Sequence, residues 1–155
     1  MYELFSLLKA NMELLYENTD WGWKDDAKLN ELTHKDARFL IVRDTNQKIV
    51  GFSHFRFDVE QNLPILYCYE LQIDDAYQRK GIGRHMMNIL SLLAYEYKFV
   101  KIVLTVFKNN LVGINFYMNS LMFKKDSTCP FAEEGKCYMI LRKSIDKAEI
   151  SAITG

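Results

Sequence analysis

The stretch Leu66–Arg84 places the tightest limit on what this chain can become. An apolar, aromatic run ends at Asp74-Asp75, two glycines follow at Gly81 and Gly83, and an amphipathic segment begins at Arg84. That order predicts a strand, a loop of exposed backbone amides and a helix start. Glycine has no Cβ, so an anion can approach the main chain closely. A helix N-terminus adds unpaired N–H groups and the positive end of the helix dipole. The combination suits a pyrophosphate, although Gly-x-Gly alone also occurs in ordinary strand-to-helix loops.

The flanking segments decide the fold class. Leu7, Leu8, Met12, Leu15 and Tyr16 recur at helical spacing, with Ser6 as N-cap and Met1–Phe5 as a strand stub. A short helix is predicted over Asp26–Leu32, and strands over Arg38–Asp44 and Lys48–Asp58 joined by Thr45-Asn46-Gln47. Gln61–Pro64 reads as a turn, and Ile65–Ile73 as a strand buried on both faces. Residues 84–98 form a helix with a wide apolar face, and Lys101–Phe107 a β-branched strand. A helix over Leu111–Leu121 and closing strands at Phe123–Asp126 and Cys137–Arg142 complete one domain over residues 1–143, with 144–155 as a frayed tail. The strand–helix–strand crossover makes two strands parallel within a mostly antiparallel sheet. The class is therefore α+β, not a doubly wound dinucleotide fold, whose glycine loop follows the first strand of a βαβ series.

Charge narrows the partners. Residues 1–75 hold 14 acidic and 8 basic side chains (net −6), and residues 76–155 hold 6 and 12 (net +6). The overall charge of zero argues against general nucleic-acid binding. The asymmetry fits either ligands of opposite sign or chance spacing over a folded surface. No apolar run reaches membrane-spanning length, and Met1–Phe5 lacks the basic start of a secretory signal. Three unpatterned cysteines, Cys68, Cys129 and Cys137, suit a reducing compartment, with Cys129 and Cys137 left open to pairing or a shared metal.

Gln78-Arg79-Lys80-Gly81-Ile82-Gly83 resembles the Gln/Arg-x-x-Gly-x-Gly/Ala acetyl-coenzyme A signature of the GCN5-related N-acetyltransferase (GNAT) superfamily. Asn110-x-x-Gly113-x-x-Phe116-Tyr117 resembles its later Asn-x-x-Ala-x-x-Phe/Leu-Tyr helix start. A narrower likeness lies in Tyr16-Glu17, Trp21-Gly22-Trp23-Lys24-Asp25, Phe52-Ser53-His54-Phe55-Arg56-Phe57-Asp58-Val59-Glu60, Leu66-Tyr67-Cys68-Tyr69-Glu70 and Leu104-Thr105-Val106-Phe107-Lys108. Together these resemble the N-alpha-acetyltransferase D (NatD) family, which acetylates the N-terminal serine of core histones four and two-A, whose tails begin Ser-Gly-Arg-Gly.

The resemblance implies a GNAT fold, acetyl-CoA as cosubstrate without a metal, and direct transfer in a ternary complex. The expected partner is a histone tail, met by a monomer in nucleus and cytoplasm. It also implies that Leu71, Gln72 and Ile73 lie along the pantetheine, their backbone groups polarising the thioester carbonyl. Backbone amides of Gln78, Arg79, Lys80, Gly81, Ile82 and Gly83 suit the pyrophosphate, with Arg79, Lys80 and Arg84 adding positive charge, unless these three are simply a solvated helix start. Asn110 fits a pantetheine contact, a helix N-cap, or both. Tyr117 fits helix packing or a coenzyme contact, at the place where many relatives carry the acid that reprotonates the thiolate.

Glu70 is the candidate general base, since burial raises a carboxylate toward neutrality. The alternative is a glutamate neutralised by an arginine or a backbone donor. An α-amine, with a reference pKa of about 7.7–8.0 against about 10.4 for lysine, needs only mild help. Asp58 and Glu60 are candidates for the substrate arginine, and Trp21, Tyr67 and Tyr69 for an aromatic wall around serine; the resemblance implies that Tyr16, Trp21, Asp58, Tyr67, Tyr69 and Tyr138 line this pocket. Each aromatic alone is as easily a core residue. His54, in register with Arg56 and Asp58, reads as structural or as orienting one of them.

Overall fold

A computed structural model describes all residues from Met1 to Gly155. Six strands form one sheet in the order β1-β2-β3-β4-β6-β5, built from Arg38–Arg43, Ile49–Glu60, Leu63–Ile73, Lys101–Phe107, Tyr138–Ser144 and Lys124–Lys125 for β1, β2, β3, β4, β6 and β5. Helices are α1 (Tyr2–Glu17), α2 (Asp25–Leu32), α3 (Ile82–Glu96), α4 (Leu111–Ile114) and α5 (Lys147–Thr154). The β3–β4 pair is parallel, with Leu66 opposite Ile102, while β1–β2, β4–β6 and β5–β6 are antiparallel. This is the mixed, mostly antiparallel sheet with helices that the crossover predicts.

The chain divides into two compact units, Met1–Arg56 with Tyr69–Met86, and Phe57–Cys68 with Met87–Gly155. In the first, Leu4 and Leu8 of α1, Leu32 of α2, and Ile49 and Phe52 of β2 make a core covered by Phe5, Leu7, Met12, Trp23 and Phe39. Leu4 and Leu8 are buried and stand one turn apart. Residues 2–5 are therefore the first turn of α1 and not a strand stub, because the apolar stripe starts earlier than Leu7. In the second unit, Ile102, Val103, Leu104 and Val106 of β4 and Leu141 of β6 are buried. Phe57 packs on Phe99 at 4.8 Å between ring centres.

Three boundaries differ for local reasons. The β2–β3 turn is only Gln61-Asn62, both with positive φ (51° and 63°), which is the twist a two-residue hairpin requires. Leu63 and Pro64 are thus inside β3, where Pro64 lends its carbonyl to the Val100 amide at 3.0 Å. The predicted helix over Leu111–Leu121 is α-helical only to Ile114, then widens to a π-helix over Asn115–Ser120. Leu121 N–H reaches Phe116 C=O, five residues back, at 3.0 Å. Residues 147–154 form a helix capped by Asp146, whose side chain accepts from Glu149 N–H.

Candidate active site

The glycine loop is set by its own side chains. Asp74 Oδ1 accepts from Ala76 N–H at 3.0 Å and starts a short 3₁₀ turn, Asp75–Tyr77. Tyr77 donates its hydroxyl to Asp44 at 3.0 Å, and Gln78 Nε2 donates to Ile73 C=O at 3.0 Å. Arg79 (φ 62°) and Gly81 (φ 83°) both take the left-handed region. Nothing crowds a Cβ at Gly81, so the glycine answers to backbone angle and not to space. Residues of alternating hand turn successive N–H groups toward one point, the nest geometry that receives anions. The first intrahelical bond of α3 is donated by His85 to Gly81 C=O at 3.0 Å, so the amides before it point out of the helix start. This cradle fits a pyrophosphate, and Arg79, Lys80 and Arg84 lie in the loop and first turn that form it, with the Lys80 ammonium 5.5 Å from the centre of the Tyr77 ring. Gln78 is fixed by its side chain to the end of β3.

That strand end is itself closely held. A Cβ on Gly51 would meet Ile73 Cδ1 at 2.9 Å and Gln72 C=O at 3.3 Å, so glycine lets β2 lie against Leu71–Ile73. Asp74 N–H bonds Val50 C=O at 2.8 Å.

Glu70, in β3, is buried, and its neutraliser is a lysine, not an arginine. Lys28 Nζ of α2 lies 3.5 Å from Glu70 Oε2 and 3.0 Å from Glu31 Oε2. Gln72 Nε2 donates to Glu70 Oε1 at 3.0 Å. Asn11 of α1 closes the chain, its amide donating to Gln72 Oε1 at 3.1 Å and to Ile73 C=O at 3.0 Å. Burial pushes the Glu70 carboxyl above its ordinary value, against the opposing pull of Lys28 and Gln72. Burial lowers the Lys28 ammonium, but Glu70, Tyr16 and Glu31 outweigh it and hold the lysine charged.

Aromatic candidates surround this pair. The Lys28 ammonium stands 4.4 Å over the Tyr16 ring, and burial pushes the Tyr16 phenol up to about 12. Trp21 and Trp23 divide their roles. Trp23 packs on the core and donates Nε1 to Asp25 at 2.6 Å, whereas Trp21 remains 46% exposed with its ring 6.5 Å from that of Tyr16. Tyr69 lies on His54 in a stack with centres 4.9 Å apart, and the Arg56 guanidinium sits 4.1 Å over the Tyr69 ring. Arg56 Nε donates to His54 Nε2 at 3.2 Å. His54 is thus an acceptor at Nε2, and burial holds it near pKa 4, neutral, with Nδ1 buried and without a hydrogen-bond partner.

The first unit therefore contains the glycine loop, Leu71–Ile73, Glu70, Tyr16, Trp21 and Tyr69. The remaining candidates lie in the second. Tyr67 and Thr105 hydroxyls share a 2.5 Å hydrogen bond, and Tyr138 pairs with Phe107 at the end of β4. Asn110 caps α4 through Oδ1, which accepts from Gly113 N–H at 2.9 Å. Tyr117 lies in the π-helix against Phe123. Asp58 is exposed and accepts from Val59 N–H at 2.7 Å. Glu60 is engaged by Lys101 at 3.1 Å, a lysine that also bonds Asp126 at 2.7 Å.

Sequence reasoning missed Lys28 and Asn11. Lys28 precedes the buried Leu32 by one turn, and Asn11 follows the buried Leu8 by three residues. Each is a polar residue on an apolar helical face, which was the available signal. The three cysteines are free thiols, and no three His, Cys, Asp or Glu side chains gather as metal ligands.

Residues 2–121 match the acetyltransferase (GNAT) family. The chain belongs to that family. Its chemistry is transfer of an acetyl group from acetyl-CoA. The fold is shared with solved structures of low identity. The PaiA N-acetyltransferase of Thermoplasma acidophilum, in complex with coenzyme A, superposes with TM-score 0.69 at 17% identity, over 92% of this chain and 91% of that one. The NatC complex bound to Gag peptide and CoA gives 0.67 at 16%, over 94% and 93%. The ribosomal-protein-S18-alanine N-acetyltransferase of Escherichia coli gives 0.60 at 16%, over 86% and 85%.

Proposed function

We propose that this protein is an N-alpha-acetyltransferase that moves the acetyl group of acetyl-CoA to the N-terminal serine amine of histone tails beginning Ser-Gly-Arg-Gly. One observation carries the reading: Glu70 is a buried carboxylate, raised above its usual range, in the strand that leads into the glycine loop, 3.5 Å from the Lys28 ammonium, which in turn lies over the Tyr16 ring. The amine must lose a proton to attack the thioester, and Glu70 takes it, directly or through one water. An α-amine titrates near neutrality and needs only mild help from a base, whereas a lysine amine asks for a stronger one. The NatC structure holds a peptide together with CoA, so a fold of this kind admits a ternary complex.

The cosubstrate supplies the activated acetyl group. The backbone of Leu71–Ile73, pinned by Asn11, Gln78 and Gly51, aligns it, and the amides of Gln78–Gly83 bind its pyrophosphate. Tyr16, Trp21 and Tyr69 are assigned to the serine end of the peptide. Asp58 is the carboxylate assigned to the substrate arginine. It is exposed, so this contact contributes only about 0.2–1 kcal/mol, and Glu60 must leave Lys101 to join it. In this reading the partner is a histone tail, met by a monomer in nucleus and cytoplasm.

The test is a fragment mass spectrum of Ser-Gly-Arg-Gly-Lys after incubation with the protein and acetyl-CoA. One acetyl group on the serine α-amine is the expected product. A label carried on the lysine side chain instead overturns the N-terminal assignment and makes the protein a lysine acetyltransferase.

A further inference from the structure

Glu70 has a neighbour that its own strand does not supply. Lys28 approaches from α2 with its side chain 10% exposed, and Glu70 has its side chain 6% exposed. The same ammonium lies nearer to Glu31, whose side chain is 41% exposed. The two carboxylates thus share one cation unequally, at 3.5 and 3.0 Å. Other elements present groups toward Glu70 as well. From α1, Tyr16 presents a neutral phenol. From β3, Gln72 presents its amide N–H to Oε1; the carboxylate only accepts, so the amide oxygen is left facing Asn11. From β2, Arg56 is directed onto Tyr69, His54 Nε2 and Glu31 C=O, and His54 is neutral.

We propose that Lys28 is a positioning residue for the base: it keeps the Glu70 carboxylate ionised in its buried place, and Glu31 sets how much of that charge Glu70 receives. This rests on the reading of Glu70 as base. A bare carboxylate buried here would hold its proton at neutral pH and be useless as a base. A carboxylate paired with an undivided cation would be too weak a base. Sharing Lys28 with Glu31 places Glu70 between these limits.

The consequences have opposite signs in two variants. Lys28→Met removes the cation, so the acid limb of the kcat/KM–pH profile moves to higher pH by about 1–3 units, the range for loss of an opposite charge at this distance. Glu31→Gln removes a repelling charge and frees Lys28 for Glu70, so the limb moves to lower pH. Lys28→Arg restores the limb toward its native position. The same shifts are read without turnover, by following the Glu70 side-chain carboxyl by carbon-13 NMR against pH in the free protein, with Glu70→Gln assigning the signal.

Movement in the two stated directions is the expected result. An unmoved Glu70 titration in both Lys28→Met and Glu31→Gln overturns the proposal and leaves Lys28 an ordinary buried ion pair. If Lys28→Met does not fold, Glu31→Gln decides, since its side chain is partly exposed: no downward shift is the overturning result. Full turnover in Glu70→Gln would end the role of Glu70 as base, whereas the NMR titration still tells whether Lys28 and Glu31 control its charge.

Discussion

Glu70 is subject to two opposed effects, burial, which pushes its carboxyl up, and the charge of Lys28, which pulls it down. Replacement by glutamine keeps the shape and the Gln72 contact while deleting the proton acceptor. Glu70→Gln is expected to lower kcat about 10²–10⁴-fold, the usual range for a lost general base, with coenzyme A affinity by calorimetry unchanged. An unchanged kcat would remove Glu70 from the chemistry. At this scale the sequence was legible where a residue contradicted its surroundings. A carboxylate in an apolar strand announces itself, and so does a glycine between strand and helix. Lys28 and Asn11 did not, because a polar residue on a helix is usually solvated, and only packing shows which ones are turned inward. The sequence also left His54 open. Its two nitrogens differ: Nε2 accepts from Arg56 and Nδ1 faces no partner, so the ring serves as a neutral shelf for Tyr69.

Elements were more legible than their ends. The alternation of β2 and the apolar face of α3 were plain, yet α1 begins five residues before its first predicted residue and the segment after α4 widens into a π-helix. Apolar spacing locates a helix, but an i→i+5 bond depends on how the chain is received at Leu121 and Phe123. Burial at an element terminus carries its own test. Lys101, at the start of β4, is clasped by Glu60 from β2 and by Asp126 just after β5. Burial raises the Asp126 carboxyl, but Lys101 and Thr128 more than reverse this and hold it near 2. A depressed carboxylate stabilises the fold above its unfolded pKa, about 3.9, and loses that contribution as pH falls through about 2. Asp126→Asn is therefore expected to cost about 1.5–3 kcal/mol at pH 7 by denaturant unfolding, with the difference from the native protein shrinking between about pH 4 and pH 2. A difference that stays constant with pH would contradict the ionic origin.

On the scale of the whole molecule, the order of strands and the single parallel pair follow from the strand–helix–strand crossover, and family membership follows from the fold together with the glycine loop. The division of charge along the chain does not survive folding as a division in space. The acidic first segment shares its compact unit with Arg79, Lys80 and Arg84 of the loop. One unit thus holds both the three basic residues of the glycine loop and the Glu70 and Glu31 carboxylates. The proposed substrate was less legible, because the candidate aromatics and Asp58 each had a plain core or surface reading taken singly.

The most direct measurement is the initial rate of acetyl transfer to Ser-Gly-Arg-Gly-Lys with a free N-terminus against the same peptide with its α-amine blocked, at equal concentration and neutral pH. The expected result is rapid transfer to the free peptide and none above background to the blocked one. Equal rates on the two peptides would contradict an N-terminal acceptor.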